Sequence, residues 1–171
     1  MTAVQSTPSS AALGNQQLSI LMQYTVEAYK TFEKLAENLP NPMTAAMFTQ
    51  FALDERENRD LIEMKVAATE GRSVKTTLGG DQIFNDILEG EMSYRESAEF
   101  LVSREKTIQK KLRELIGSSS AGDRNFLVYL EAVKRAHIVE LERDLELIRH
   151  DSDWWKREDA QWRIVHGNPT T

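Results

Sequence analysis

Hydrophobic residues recur along this chain in steps of three and four, the period of an amphipathic helix. The first line, Leu18, Leu21, Thr25, Tyr29, Phe32, Ala36 and Leu39, predicts a helix over residues 16–39. Pro40-Asn41-Pro42 ends it, because proline has no amide proton and crowds the preceding turn. Met47, Phe51, Glu55, Asn58, Ile62 and Val66 form the second line and predict a helix over 43–69, stopping at Gly71. A long connection follows to about Phe84, with Gly79-Gly80 and an Asp81 suited to capping a helix. The third pattern starts either at Gln82, with a break around Gly90, or near Met92. It carries Ala98, Leu101, Glu105, Ile108, Leu112 and Leu115, and ends near Ile116 before Gly117-Ser118-Ser119-Ser120. The fourth, over 123–150, carries Leu127, Leu130, Lys134, His137, Leu141, Leu145 and Ile148. Trp154, Trp155 and Trp162 then predict a short fifth helix.

The connections set the architecture. Short turns join the first and second lines, and the third and fourth, so each pair predicts an antiparallel hairpin. The long middle segment suits a crossover between hairpins. The expected fold is all-α: an antiparallel four-helix bundle of two hairpins joined by one long crossover, plus a short C-terminal helix. Residues 1–15, small, polar and without period, predict a flexible tail ahead of the 16–150 bundle. Residues 151–171 form a Trp-rich extension.

Six polar residues interrupt stripes that should face the bundle axis: Thr25, Glu55, Asn58, Glu105, Lys134 and His137. An isolated buried charge costs several kcal/mol, roughly, unless it is paired or bound to metal. Acids on the outer faces, such as Glu33, Glu37, Glu57 and Glu114, need only water. The six are also ordered as a repeat. Thr25 precedes Glu55 much as Glu105 precedes Lys134, and Glu55/Asn58 and Lys134/His137 are both i, i+3 pairs. Such a pair points from one helix face toward one object.

Composition narrows the chemistry. The absence of cysteine excludes disulfides, thiolate zinc sites, iron–sulfur clusters and a cysteine nucleophile. A metal would have to rest on carboxylate and on His137, His150 or His166. The net charge of −6 opposes a general nucleic-acid binder. The first residues lack a basic, then apolar, leader pattern, and no stretch has the ~20 apolar residues of a membrane helix, so a cytoplasmic protein is expected.

With these six positions in view, the chain resembles the ferritin-like superfamily, and within it the rubrerythrin-type di-iron carboxylate proteins. The segment from Tyr29 to Asn38 (YKTFEKLAEN) is rubrerythrin-like, and 52–58 (ALDEREN) is similar to that family's A-x-[DE]-E-x-x-H element. The resemblance covers roughly 16–150. It implies one glutamate from the first helix of each hairpin and Glu-x-x-His from the second. Here those positions carry Thr25, Glu55 with Asn58, Glu105, and Lys134 with His137, so three ligands remain. The resemblance implies that Thr25 and Asn58 remove both private ligands of one metal. Glu55, Glu105 and His137 would be the donors left for a single iron, manganese or zinc ion.

Lys134 favours a different resolution. One ammonium between Glu55 and Glu105 satisfies the burial problem without metal, with Thr25, Asn58 and His137 filling hydrogen-bond needs and a protonated His137 neutralising the cluster. Three readings stay open: this salt-bridge network, a single-metal site, and a dinuclear site rebuilt with Glu27, Asp54 or Glu131, which lie off the stripes. The first implies a structural or interaction protein without cofactor. The others imply an iron or manganese oxidoreductase handling peroxide or oxygen. A homodimer is expected in either case. Met22, Met43, Met47 and Met64 are expected to fill core, and Tyr29 to pack with its hydroxyl bonded. The three tryptophans are expected to seal the bundle end or to offer a partner surface.

Overall fold

The computed structural model describes residues 13–39, 41–70 and 93–153. The elements among the described residues are four helices, with no strand: α1 (Asn15–Asn38), α2 (Pro42–Glu70), α3 (Tyr94–Ser118) and α4 (Ala121–His150). These bounds lie within a residue or two of the expected ones. The expected fifth helix with Trp154, Trp155 and Trp162, and the connection with Asp81, lie outside the described residues.

Local chemistry explains where the helices start. Asn41 Oδ1 accepts the amides of Met43 and Thr44 at 3.0 and 3.1 Å, with Pro42 in the first helical position, where no amide is needed. The proline-rich break that stops α1 therefore also starts α2. At α3, Ser93 Oγ accepts the Glu96 amide while Glu96 accepts the Ser93 amide, a reciprocal box that sets the start at Tyr94. The expected start near Met92 is close to this point, and the other, at Gln82 with a break around Gly90, lies outside the described residues. At the far end of α4, Arg149 and His150 meet the negative end of the helix dipole.

Two apolar clusters hold the helices together. One joins Ala28, Phe32 and Leu35 of α1 to Phe48 and Phe51 of α2, Ala98 and Leu101 of α3, and Leu141 and Leu145 of α4. The other joins Leu18 and Leu21 to Ile62 and Val66, Ile108 and Leu112, and Leu127 and Leu130. Every helix feeds both clusters, so the order of residues along each helix gives its direction. α1 runs against α2 and α3 against α4, while α2 and α3 point the same way. The four helices form a bundle. The six polar stripe residues lie in sequence between the two clusters on each helix.

Ion pairs tie the hairpins together outside the core. Arg104 of α3 donates to Glu27 of α1 at 2.8 Å. Asp123 of α4 pairs with Lys65 of α2 and accepts the amide of Leu13 at 3.0 Å. Lys65 and that amide hold its carboxyl below the usual range, against the smaller effect of burial. Leu13, expected in the flexible tail, is buried in the second cluster, because an apolar residue just ahead of α1 reaches the bundle end.

One expectation about the methionines needs correction. Met22 is buried and Met47 packs on the first cluster, but Met43 and Met64 are 54% and 68% exposed. Met64 sits two residues from both Ile62 and Val66, roughly 200° round the helix from the buried line. Met43 lies in the first turn of α2 and about a quarter-turn off it. No described helix is long and apolar enough to cross a membrane.

Burial sets the expected response to truncation. Leu127→Ala, at a fully enclosed position, should cost ~2–5 kcal/mol in urea unfolding, whereas Val139→Ala, at an exposed one, should stay within ~0.5 kcal/mol. Equal effects would contradict this packing.

Candidate functional site

The polar layer is closed from all four helices. Thr25, Glu55, Asn58, Glu105, Lys134 and His137 are each at most 4% exposed, so all six stripe positions are interior. All six lie within helices, so most of what their side chains need must come from one another.

Lys134 is the centre. Its ammonium Nζ donates to Glu55 Oε1 and to Glu105 Oε1, the latter at 3.4 Å, bridging α2, α3 and α4. Burial opposes the charge, but the two carboxylates outweigh it and raise the Lys134 pKa. Glu105 is likewise penalised by burial, yet Lys134 and then His137 hold it below the ordinary range. Glu55 goes the other way: burial, helped by the Glu105 charge, pushes its carboxyl up against the pull of Lys134. The two acids thus share a site while differing in proton affinity.

His137 extends the network outward. Nδ1 faces Glu105 Oε2 at 3.2 Å and Nε2 faces Asp54 Oδ2 at 3.0 Å. Ionised carboxylates only accept, so two such partners call for an N–H on each nitrogen, the imidazolium. Burial disfavours that charge, but the bonds to Asp54 and Glu105 prevail and raise its pKa. Phe51 stacks on the ring at 4.1 Å between centroids, and Phe32 meets it edge-on at 5.6 Å. Aromatic walls on α1 and α2 therefore fix the imidazole while the carboxylates hold its protons. Lys134 and a charged His137 offset Glu55 and Glu105, and Asp54 carries the remaining charge to the edge of the layer.

Asn58 and Thr25 contribute less than the pattern implies. Asn58 Nδ2 reaches Glu55 Oε2 only at 3.4 Å, and Asn58 Oδ1 has no hydrogen-bond partner. Thr25 Oγ1 donates to its own helix, at Leu21 O, 2.8 Å away. Of the three off-stripe acids, Asp54 joins the network through His137. Glu27 is taken by Arg104, and Glu131 by Gln109 and Arg113, so neither turns inward to the layer. Asp54 escapes periodicity because it flanks the buried line, on the side where α4 approaches α2. Its neighbour Phe51 was visible as core, but not as the face on which an imidazole rests. Tyr29 is half-buried, and its hydroxyl donates to Glu33 Oε1 at 2.8 Å.

Glu55, Glu105 and His137 each offer one donor atom within 4.8 Å of the others. Neither His137 nitrogen is left for an ion, since both face carboxylates. The carboxylate oxygens between the helices hold the Lys134 ammonium, and a divalent ion beside it would be repelled. A two-metal centre fits less well still, because Thr25 and Asn58 put a committed hydroxyl and a neutral amide where anionic or imidazole ligands are required. In this arrangement the residues do not fit the metal group that the family resemblance implies.

No family model, curated protein or solved structure matches the chain.

Two measurements follow from this geometry. Lys134→Met leaves two buried carboxylates with only the His137 imidazolium against them and should cost ~3–5 kcal/mol, much of it recovered by adding Glu55→Gln. If the single change costs under ~1 kcal/mol, the layer is not enclosed. A raised native pKa means that His137 stabilises the fold most below its unfolded value of about 6.5, and that this contribution fades as pH rises through the native value. The stability advantage of the wild type over His137→Gln should therefore shrink from about pH 6 into the alkaline range. A difference independent of pH would show that the imidazole is never charged.

Proposed function

We propose that the chain is a ferritin-like bundle protein whose di-iron site has become a metal-free polar network, and that it acts as a structural or interaction protein. The observation that carries this reading is the Lys134 ammonium, which donates to both Glu55 and Glu105 at the centre of the layer. A lysine there does for two buried carboxylates what a metal would otherwise do: it neutralises them and links three helices. The helix directions support the ferritin-like part of the reading. With α2 and α3 parallel, the end of α2 and the start of α3 lie at opposite ends of the bundle, the arrangement that a long crossover would require. The one-plus-pair register in each hairpin supports it too.

An interaction role draws on the outer faces of α2 and α4. Leu53 and Met64 on α2, and Val128, Tyr129 and Val139 on α4, are each over two-fifths exposed. Apolar side chains on outer faces suit a partner helix or a second copy, as in a homodimer. The segment with Trp154, Trp155 and Trp162 would add anchors to such a surface.

A second reading rests on the closeness of Glu55, Glu105 and His137, which would be the ligands of a single iron or manganese ion in an oxidoreductase. Metal analysis by mass spectrometry separates the two. Protein purified without chelator, and then incubated with iron or manganese, should hold no stoichiometric metal, and Lys134→Glu should raise its metal affinity. One tightly held ion per chain, lost on His137→Ala, would establish the second reading instead.

A further inference from the structure

The polar layer has a gap on the side of α1. A cavity of about 10 Å³ lies between Thr25, Asn58 and Lys134 and the apolar side chains of Leu21, Ile108 and Leu130. That volume is near the smallest that admits one water, and too small for any larger molecule. Tyr24 and Leu112 also line it, and three of its polar residues have complementary unmet needs. Asn58 Oδ1 is a buried acceptor without a partner. Lys134 carries three protons and directs two of them at Glu55 and Glu105. Thr25 Oγ1 spends its proton on Leu21 O and keeps acceptor capacity.

We propose that this cavity is a binding site for one internal water, which accepts a hydrogen bond from Lys134 Nζ and donates to Asn58 Oδ1 and Thr25 Oγ1. Three hydrogen bonds are the usual complement of a buried water. A buried amide oxygen left bare costs more than immobilising one water, so occupancy is favoured. The inference rests on the metal-free reading of the same layer, because it needs Lys134 as a donor. It also extends that reading. Thr25 and Asn58, at the positions where the resemblance places one metal's private ligands, become the seat of a neutral molecule matched to their weaker chemistry. The amide and hydroxyl take a water where a carboxylate and an imidazole would take a cation.

The test is a high-resolution crystal structure of the full chain, with anomalous data, joined to water-oxygen magnetic relaxation dispersion in solution. The expected result is a peak about 2.7–3.2 Å from both Asn58 Oδ1 and Lys134 Nζ, without anomalous signal. In solution the wild type should show one more long-lived water than Asn58→Leu, which removes the acceptor and fills the space. If that variant does not fold, Thr25→Val should shorten the residence time about tenfold, the effect of losing one hydrogen bond. A dry cavity with Lys134 still on its carboxylates, or equal dispersion in wild type and variant, would overturn the water and leave the proposed function standing. An anomalous metal peak in the layer would overturn both.

Discussion

Lys134 places a full positive charge inside a helical bundle, and the composition of the surrounding layer follows from what it takes to keep it there. Moving an ammonium out of water costs several kcal/mol after relaxation, roughly, and only close anions with good hydrogen bonds return it. Glu55 and Glu105 supply the anions from two different helices, so the lysine works as a three-way tie. Two carboxylates against one ammonium leave an excess negative charge. His137 meets it with a second cation, and Asp54 meets that in turn at the edge of the layer. Each charge makes the next one necessary.

The apolar clusters bear the general cost of folding, while the layer between them decides register. Leucines and phenylalanines pack in many similar ways, and sliding one helix past another by a turn would still bury most of them. The same slide would strand Lys134 away from Glu55 and Glu105 and His137 away from Asp54. Buried polar groups have this specifying role in some helical assemblies, at a cost in raw stability. The aromatic walls couple the two parts. Phe32 and Phe51 belong to the apolar cluster and also clamp the imidazole, so a shift in either is felt by the other.

A metal and a lysine solve one electrostatic problem in different ways. A divalent ion needs several anionic or imidazole donors with free lone pairs converging on one point. An ammonium needs only acceptors at hydrogen-bond distance, and it arrives tethered to the chain. The residues around Lys134 meet the second requirement: the donors face protons, and the positions without carboxylate or imidazole carry an amide and a hydroxyl that suit a neutral neighbour. In this layer the link between the carboxylates is tethered to the chain and joins three helices.

Sequence alone determined the four helices, their near ends, the hairpin pairing and the interior placement of all six polar stripe residues. Those features are periodic or local: a step of three or four residues and a proline break can each be read without knowing the neighbouring helix. Lys134 between Glu55 and Glu105 was legible for the same reason, since three charged residues on three inward stripes must meet somewhere along the axis. Tertiary structure decided what depends on the angle and distance between helices. Asp54 lies off the buried line of α2 and meets His137 only because α4 passes on that flank. Glu27 and Glu131, equally available in the sequence, are drawn outward by Arg104 and Arg113. Thr25 turns back to its own helix, and Asn58 is left with a bare oxygen over a cavity. Side-chain partners across a bundle are set by packing between elements, and no period along one chain carries that information.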